Sequence, residues 1–205
     1  MILGANTGIG KVTATDLAKR GARVIICCRD MTKAEAAAKD IREESGSSLV
    51  QVQQLDLASF KSIRKCAQEL LENEDKIDYL INNAGVMMCP QWKTEDGLEM
   101  QMGTNHFGHF LFTELVLPLV RKSAASGTHP RIVIVSSSAH EWAPNGINWD
   151  DIHNEKNYDP KEVYGQSKLA NILHAKELAR KLENTGISVY VLHPGKLQWV
   201  GSSIV

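Results

Sequence analysis

Residues 1–28 read MILGANTGIGKVTATDLAKRGARVIICC, and the order of their patterns decides the fold. A stub of apolar strand at residues 1–3 runs into a glycine turn, Gly4-Ala-Asn-Thr-Gly8-Ile-Gly10. Residues 11–20 then carry helical periodicity, and residues 23–28 form an apolar run of strand length. Strand, turn, helix and second strand make one right-handed crossover unit, the building block of a parallel sheet. A strand that is apolar along its whole length, and not only at alternate positions, is one buried on both faces.

The same alternation continues outward. Strand-length runs at residues 49–55, 78–82, 131–135 and 187–192 alternate with amphipathic stretches at 32–45, 59–75, 94–123 and 160–184. The pattern predicts an α/β fold, a doubly wound parallel sheet of the Rossmann type, as a single domain over residues 1–205. Residues 143–159, rich in Asn, Asp, Gly and Pro, read as a surface loop inside that domain. The 205 residues, 43% of them hydrophobic, suffice for one sizeable core. A formal charge of -1, from 23 basic and 24 acidic residues, gives no reason to expect nucleic acid or an anionic membrane as partner, and a small neutral ligand fits better. No apolar run reaches the roughly 20 residues of a membrane span. Cys27, Cys28, Cys66 and Cys89 lack metal-ligand spacing, which favours a reducing compartment; as written, the chain is expected to be cytoplasmic.

The glycine turn is where backbone can approach a pyrophosphate at a helix N-terminus, although its GxxxGxG spacing alone is equally that of a plain tight turn. At the end of the second strand an acid would bind the ribose hydroxyls of NAD(H), and a base the 2′-phosphate of NADP(H). Here Cys28 holds the expected acid position and Arg29 offers a planar donor fork, while Asp30 leaves room for NAD(H). Asp56, with Leu57 after it, follows the third strand, and Asn83-Ala84-Gly85 follows the fourth, both at the carboxyl edge. Capping for Asp56 and a turn for the Asn-Ala-Gly run are the plain alternatives.

Chemistry is suggested by Tyr164 and Lys168, spaced i, i+4 on one helix face. A phenol titrates near 10 on its own, and a close ammonium favours its phenolate, making a proton-transfer group suited to an alcohol. Ser137, in Ser136-Ser137-Ser138 directly after the fifth strand, is the hydroxyl chosen to meet a substrate oxygen, with Ser136 facing the fold and Ser138 further out in the loop. Asn105 lies in a long helix that Gly103 and Gly108 should loosen; it either keeps a water behind Lys168 or is a buried structural amide. His106 and His109 have no third ligand beside them, so no metal is assigned.

Taken together, GANTGIG, CCRD, LDL, NNAGVM, TNHFGHFLFT, VSSSAH, YGQSKLAN and LHPG resemble, in order and spacing, the short-chain dehydrogenase/reductase family, over residues 2 to about 195. Arg29, the TNHFGHF and SSSAH phrases and the long insert before Tyr164 resemble its retinol dehydrogenase branch. The resemblance implies an oxidoreductase that interconverts an apolar alcohol and an aldehyde or ketone, such as retinol and retinal, with NADP(H) preferred over NAD(H). It implies Tyr164 as acid/base, Lys168 lowering its pKa and holding ribose, Ser137 orienting substrate and Asn105 supporting a proton relay. The implied cofactor contacts are Gly4, Asn6, Gly8, Ile9, Gly10, Arg29, Asp56, Leu57, Asn83, Ala84, Gly85, Tyr164, Lys168, Pro194 and Gly195. A homo-oligomer is compatible with it, and full-length members of the branch are expected at the endoplasmic reticulum or mitochondrial membrane.

Two departures from the family pattern stand out. The first strand is only three residues long with Leu3 before the first glycine, and the ten residues after Gly195 do not run on to the expected Thr. The chain therefore reads as shortened at both ends, with its substrate-covering region missing. A central strand so short is expected to leave neighbouring backbone unpaired and the chain poorly folded. The second reading is accordingly a truncated dinucleotide-binding module with little or no catalytic activity.

Overall fold

The computed structural model describes residues 1–195; the tail on which the expectation about the C-terminal end falls, residues 196–205, lies outside the described residues. Strands β1 (Ile2–Leu3), β2 (Val24–Cys28), β3 (Val50–Gln54), β4 (Tyr79–Asn82), β5 (Arg131–Val135) and β6 (Ser188–Leu192) form one sheet in the order β3-β2-β1-β4-β5-β6. Every pairing is parallel. The order reverses beside β1, so the crevice between β1 and β4 at the carboxyl edge is the topological switch point.

Helices α1 (Gly8–Lys19) and α2 (Met31–Ser45) cover one face. Ala14, Ala18, Ala34, Ala38 and Ile41 meet Ile2, Val24 and Ile26 there, small residues that let the helices lie close to the strands. On the other face lie α3 (Phe60–Asn73), α5 (Gly108–Ala125) and α6 (Pro160–Lys181). Leu3, Cys27, Leu80, Ile132 and Ile134 pack there against Ile63, Leu70, Phe112, Val116, Leu119 and Leu178. The single long helix expected over residues 94–123 is divided: α4 (Met100–Met102), a π-turn at Gly103–Phe107, then α5. Gly103 and Gly108 bracket that π-turn, as their low helix propensity suggests. Edge strand β3, VQVQQ, is not apolar throughout as expected: Val50 is buried, while Gln51 and Gln54 are exposed.

The short central strand does not leave its neighbours unpaired. Ile2 and Leu3 are in register with Ile26 and Cys27 on one side and with Ile81 and Asn82 on the other. The ladder extends beyond them: Gly4 N–H donates to Cys27 at 2.8 Å, Ile81 N–H to Met1 at 3.0 Å, and the Met1 nitrogen to the Tyr79 carbonyl at 2.7 Å. Backbone groups that the sequence pattern leads one to expect unpaired are satisfied by the flanking residues. Among the described residues no helix is long and apolar enough to cross a membrane.

Candidate active site

The glycine turn stands at the carboxyl end of β1. Gly4 and Gly8 have φ of 76° and 58°, a region that side-chain-bearing residues rarely adopt. A Cβ on Gly4 would lie 2.6 Å from the Ala84 Cβ, and one on Gly10 would overlap the Gly4 carbonyl. Beside Gly8 there is open space. Thr7, the N-cap of α1, makes no side-chain capping bond, and the first turn holds no acid, so the positive helix end is left to an outside anion. A pyrophosphate fits this cradle: two glycines permit close packing behind it, and one leaves room in front. Asn6 is half-buried and Ile9 exposed at its rim. Asn83 braces the turn from behind, its Nδ2 donating to the carbonyls of Gly4 at 2.6 Å and Leu3 at 3.3 Å.

At the end of β2, burial pushes the Cys28 thiol up in pKa, against a smaller lowering by the nearby backbone N–H groups of Ala5 and Asn6. Arg29 is exposed. Asp30 caps α2, its Oδ1 accepting Lys33 N–H at 3.0 Å, and this bond holds its carboxyl below the usual range. After β3, Asp56 Oδ1 accepts Ala58 N–H at 2.9 Å, so one carboxylate oxygen shapes the turn into α3. Leu57 is buried, with its carbonyl close against Gly108, where a Cβ would collide.

Tyr164, on the second turn of α6, is half-buried, and Lys168, one turn further on, is 3% exposed. The ammonium lies 5.6 Å from the centre of the phenol ring and donates to the Val135 carbonyl at 3.3 Å. Burial lowers the Lys168 pKa to about 8. Burial likewise raises that of Tyr164, against which the hydroxyl of Ser137 works by hydrogen bonding. In this state the phenol is not poised as a phenolate; desolvation outweighs the help it receives. Ser137 opens the 3-10 turn Ser138–Trp142, its Oγ accepting Ala139 N–H at 3.1 Å. Ser136 turns into the fold, donating to the Lys168 carbonyl at 2.8 Å, and Ser138 is exposed.

Asn105, fully buried in the π-turn, commits its whole amide: Oδ1 accepts Val86 N–H at 2.8 Å, and Nδ2 donates to the Val86 carbonyl at 2.8 Å and to Ser167 Oγ at 3.0 Å. The side-chain amide is thus committed to Val86 and Ser167. Gly85 passes between it and the lysine, since a Cβ there would stand 3.2 Å from Asn105 Oδ1 and 3.4 Å from Lys168 Nζ. Pro194 and Gly195 follow β6 at the same edge, exposed, with Gly195 N–H on His193 Nδ1 at 3.2 Å.

Three supporting residues escaped the sequence reading. Gly165 lets α6 approach the turn that carries Ser137: a Cβ on it would lie 2.8 Å from the Ala139 carbonyl and 3.0 Å from the Trp142 Cβ. Gln101, with no exposed surface, accepts Met88 N–H at 2.7 Å and donates to the Pro160 carbonyl at 2.9 Å and to the Tyr158 hydroxyl at 3.1 Å. Tyr158 in turn donates to the Cys89 carbonyl at 2.7 Å, which ties the loop after β4 to the insert before α6. A glycine beside a tyrosine at a helix start, and a glutamine among apolar helix positions, were the signals available.

Residues 1–149 match the family model described as short chain dehydrogenase. Human retinol dehydrogenase 13 is 53% identical over 196 residues, which are 95% of this chain and 57% of that protein. Human retinol dehydrogenase 14 is 49% identical over an alignment of 208 positions that covers 95% of this chain and 60% of that one. The chain thus spans less than two thirds of the length of these curated relatives. Among solved structures, an uncharacterized protein from Mycobacterium paratuberculosis superposes with a TM-score of 0.79 at 43% identity, covering 95% of this chain and 66% of that one. The Pseudomonas aeruginosa RhlG/NADP complex superposes with a TM-score of 0.76 at 30% identity, covering 96% and 72%. With the glycine cradle, the parallel sheet and the Tyr-Lys pair all in place, this chain belongs to the short chain dehydrogenase family, in the branch of its retinol dehydrogenase-like members.

Proposed function

We propose that the chain is an NADP(H)-dependent oxidoreductase that interconverts an apolar alcohol and its aldehyde or ketone, of the retinol/retinal kind. The observation that carries this reading is the convergence of the Tyr164 phenol, the Ser137 hydroxyl and the Lys168 ammonium at the sheet edge that also carries the glycine cradle. When bound, the nicotinamide supplies or accepts the hydride at the carbon. Ser137 donates a hydrogen bond to the substrate oxygen and fixes it beside Tyr164. Tyr164 gives its proton to that oxygen in reduction and takes it back in oxidation. Lys168 uses its remaining N–H groups to hold the cofactor ribose and, as an ammonium, stabilises the phenolate left after proton transfer. Asn105 keeps the wall of the site in place through Val86 and Ser167.

Preference for the phosphorylated cofactor is supported by Arg29, exposed at the end of β2, and by Asp30, whose carboxylate caps a helix where a ribose-binding acid would have to be free. The RhlG complex with NADP shows a relative with that cofactor. An apolar substrate is supported by the exposed Met87 and Met88 after the loop that holds Gly85. The test is NADPH oxidation by this chain with retinal, aliphatic aldehydes and ketosteroids, beside calorimetric titration of NADPH and NADH. Tight NADPH binding with turnover of at least one apolar carbonyl is expected. Binding without turnover of any would replace this reading by that of a dinucleotide-binding module.

A further inference from the structure

The π-turn at Gly103–Phe107 leaves a problem of backbone accounting, because Gly108 N–H bonds to the carbonyl of Gly103, five residues back. A π-turn inserts one residue into the helix and leaves a carbonyl without an in-register N–H. His109 fills the gap: its Nδ1 lies 3.1 Å from the Thr104 carbonyl and 3.1 Å from that of Asn105. Carbonyl oxygens only accept, so Nδ1 carries the proton and Nε2 is the bare nitrogen. That Nε2 is buried with no partner among the described residues, in a side chain that is 2% exposed. Within the protein, the hydrogen bonding of this ring is carried by Nδ1.

We infer that His109 is a positioning residue for the catalytic set: its Nδ1–H holds the π-turn open at the Thr104 and Asn105 carbonyls, and the π-turn holds Asn105 between Val86 and Ser167. The catalytic consequence rests on the oxidoreductase reading above; the structural one does not. Relaxing a π-turn to α-helix removes one residue from the register and rotates Asn105 by about 100° relative to α5. Its amide then leaves Val86 and Ser167, and the wall that it forms with Gly85 against Lys168 opens. Ser167 also donates to the Tyr164 carbonyl at 2.7 Å, which extends the effect to the second member of the pair. Burial first, and the Lys168 charge second, hold the imidazole pKa down to about 3, so the ring stays neutral and its two bonds do not switch near neutral pH.

The test compares the full chain with His109→Leu, which has no donor, and His109→Asn, whose side-chain N–H₂ stands where Nδ1 stands. Hydrogen exchange at Val86, whose N–H bonds to Asn105 Oδ1, reports the placement of Asn105, and exchange at Ile26 in the middle of the sheet reports the fold. In His109→Leu, Val86 should exchange about tenfold faster or more with Ile26 little changed, and kcat should fall by about tenfold or more with KM within about threefold. His109→Asn should restore both. Val86 protection and kcat within about twofold of the parent in His109→Leu, or an Asn variant as impaired as the Leu variant, would overturn the inference. So would nitrogen NMR of the parent showing the Nε2–H tautomer, a measurement that needs no variant to fold. A parent without turnover on any carbonyl defeats the oxidoreductase reading alone, and Val86 exchange still decides the role of His109.

Discussion

The Lys168 ammonium lies 5.6 Å from the centre of the Tyr164 ring, one turn along the same helix, and it is buried almost completely. The arrangement costs the folded protein something in the absence of a ligand. Burial depresses the lysine and raises the tyrosine, so each is pushed toward its neutral form. A bound substrate oxygen and cofactor ribose would add partners for both groups to those they already have in Ser137 and Val135. Tyr164→Phe should therefore abolish turnover, by 10²-fold or more on the order of general acid–base losses, while leaving NADPH affinity nearly intact. Lys168→Ala should damage both. Steady-state kinetics with calorimetric Kd values check this, and a Phe variant within about tenfold of its parent would remove Tyr164 from the mechanism.

The same burial fixes a pH dependence of stability. Lys168 has a folded pKa of about 8 against an ordinary 10.5. The unfolded chain thus binds more protons between those values, and the lysine's contribution to stability is present above 10.5 and lost as pH falls through 8. The difference amounts to about 3 kcal/mol at neutral pH. Lys168→Met, which removes the charge and keeps the volume, should raise Tm of the ligand-free chain at pH 7, and the gain should shrink as pH approaches 10.5. Thermal melts of both forms across that range measure the difference. A gain that grows with pH contradicts the assignment.

On the proposed reading, cofactor choice turns on the end of β2. Arg29→Ala should weaken NADPH by roughly 1.5 to 3 kcal/mol, the worth of a charge-assisted hydrogen bond, with NADH little changed. Asp30→Ala should lower Tm by uncapping α2 and leave the preference where it was, because its carboxylate is held by Lys33 N–H. Titration of both cofactors against both variants separates the two roles. A switch of preference in Asp30→Ala would make Asp30 the ribose-binding acid after all.

Sequence pattern made the sheet legible because each strand of the interior is apolar along its length and each crossover carries its own periodicity. The strand order β3-β2-β1-β4-β5-β6 is the one that doubly wound alternation predicts. It was less informative wherever a bond joins residues far apart. Asn83 is near Gly4 in space and 79 positions away in sequence, so its role as a brace behind the turn was invisible. Gln101 and Tyr158, separated by 57 positions, were equally so. The pairing of the short first strand was misjudged for another reason. Counting apolar residues stops at Leu3 and so leaves out Gly4, whose N–H extends the ladder to Cys27, and it says nothing of the bonds that Met1 makes to Tyr79 and Ile81 through its backbone. The π-turn lay between: two glycines announced a loosened helix, but not the imidazole that closes its accounts.

Gly165 offers the sharpest test of how the site is assembled, because it carries no functional group. It lies beside Tyr164 at the start of α6, where the helix crosses the 3-10 turn that follows Ser137, and a Cβ would stand 2.8 Å from the Ala139 carbonyl and 3.0 Å from both the Trp142 carbonyl carbon and its Cβ. Backbone cannot yield as a flexible side chain can, so Gly165→Ala must push the helix and the turn apart by a few tenths of an ångström. Glycine inside a helix is otherwise unfavourable, and the substitution by alanine would ordinarily stabilise by about 0.5 to 1 kcal/mol. Here overpacking of about 1 to 3 kcal/mol should win and lower Tm. The displacement falls between Ser137 and Tyr164, so on the proposed reading kcat should fall more than cofactor affinity, which the glycine cradle, Arg29 and Lys168 would together supply. Melting curves, kcat and the NADPH Kd of Gly165→Ala and of Gly46→Ala, in the open αL cap of α2, give the comparison. Gly46→Ala should cost stability alone, through its φ of 70°. If Gly165→Ala melts above its parent and turns over normally, helix α6 does not need that close approach to hold Tyr164 against Ser137.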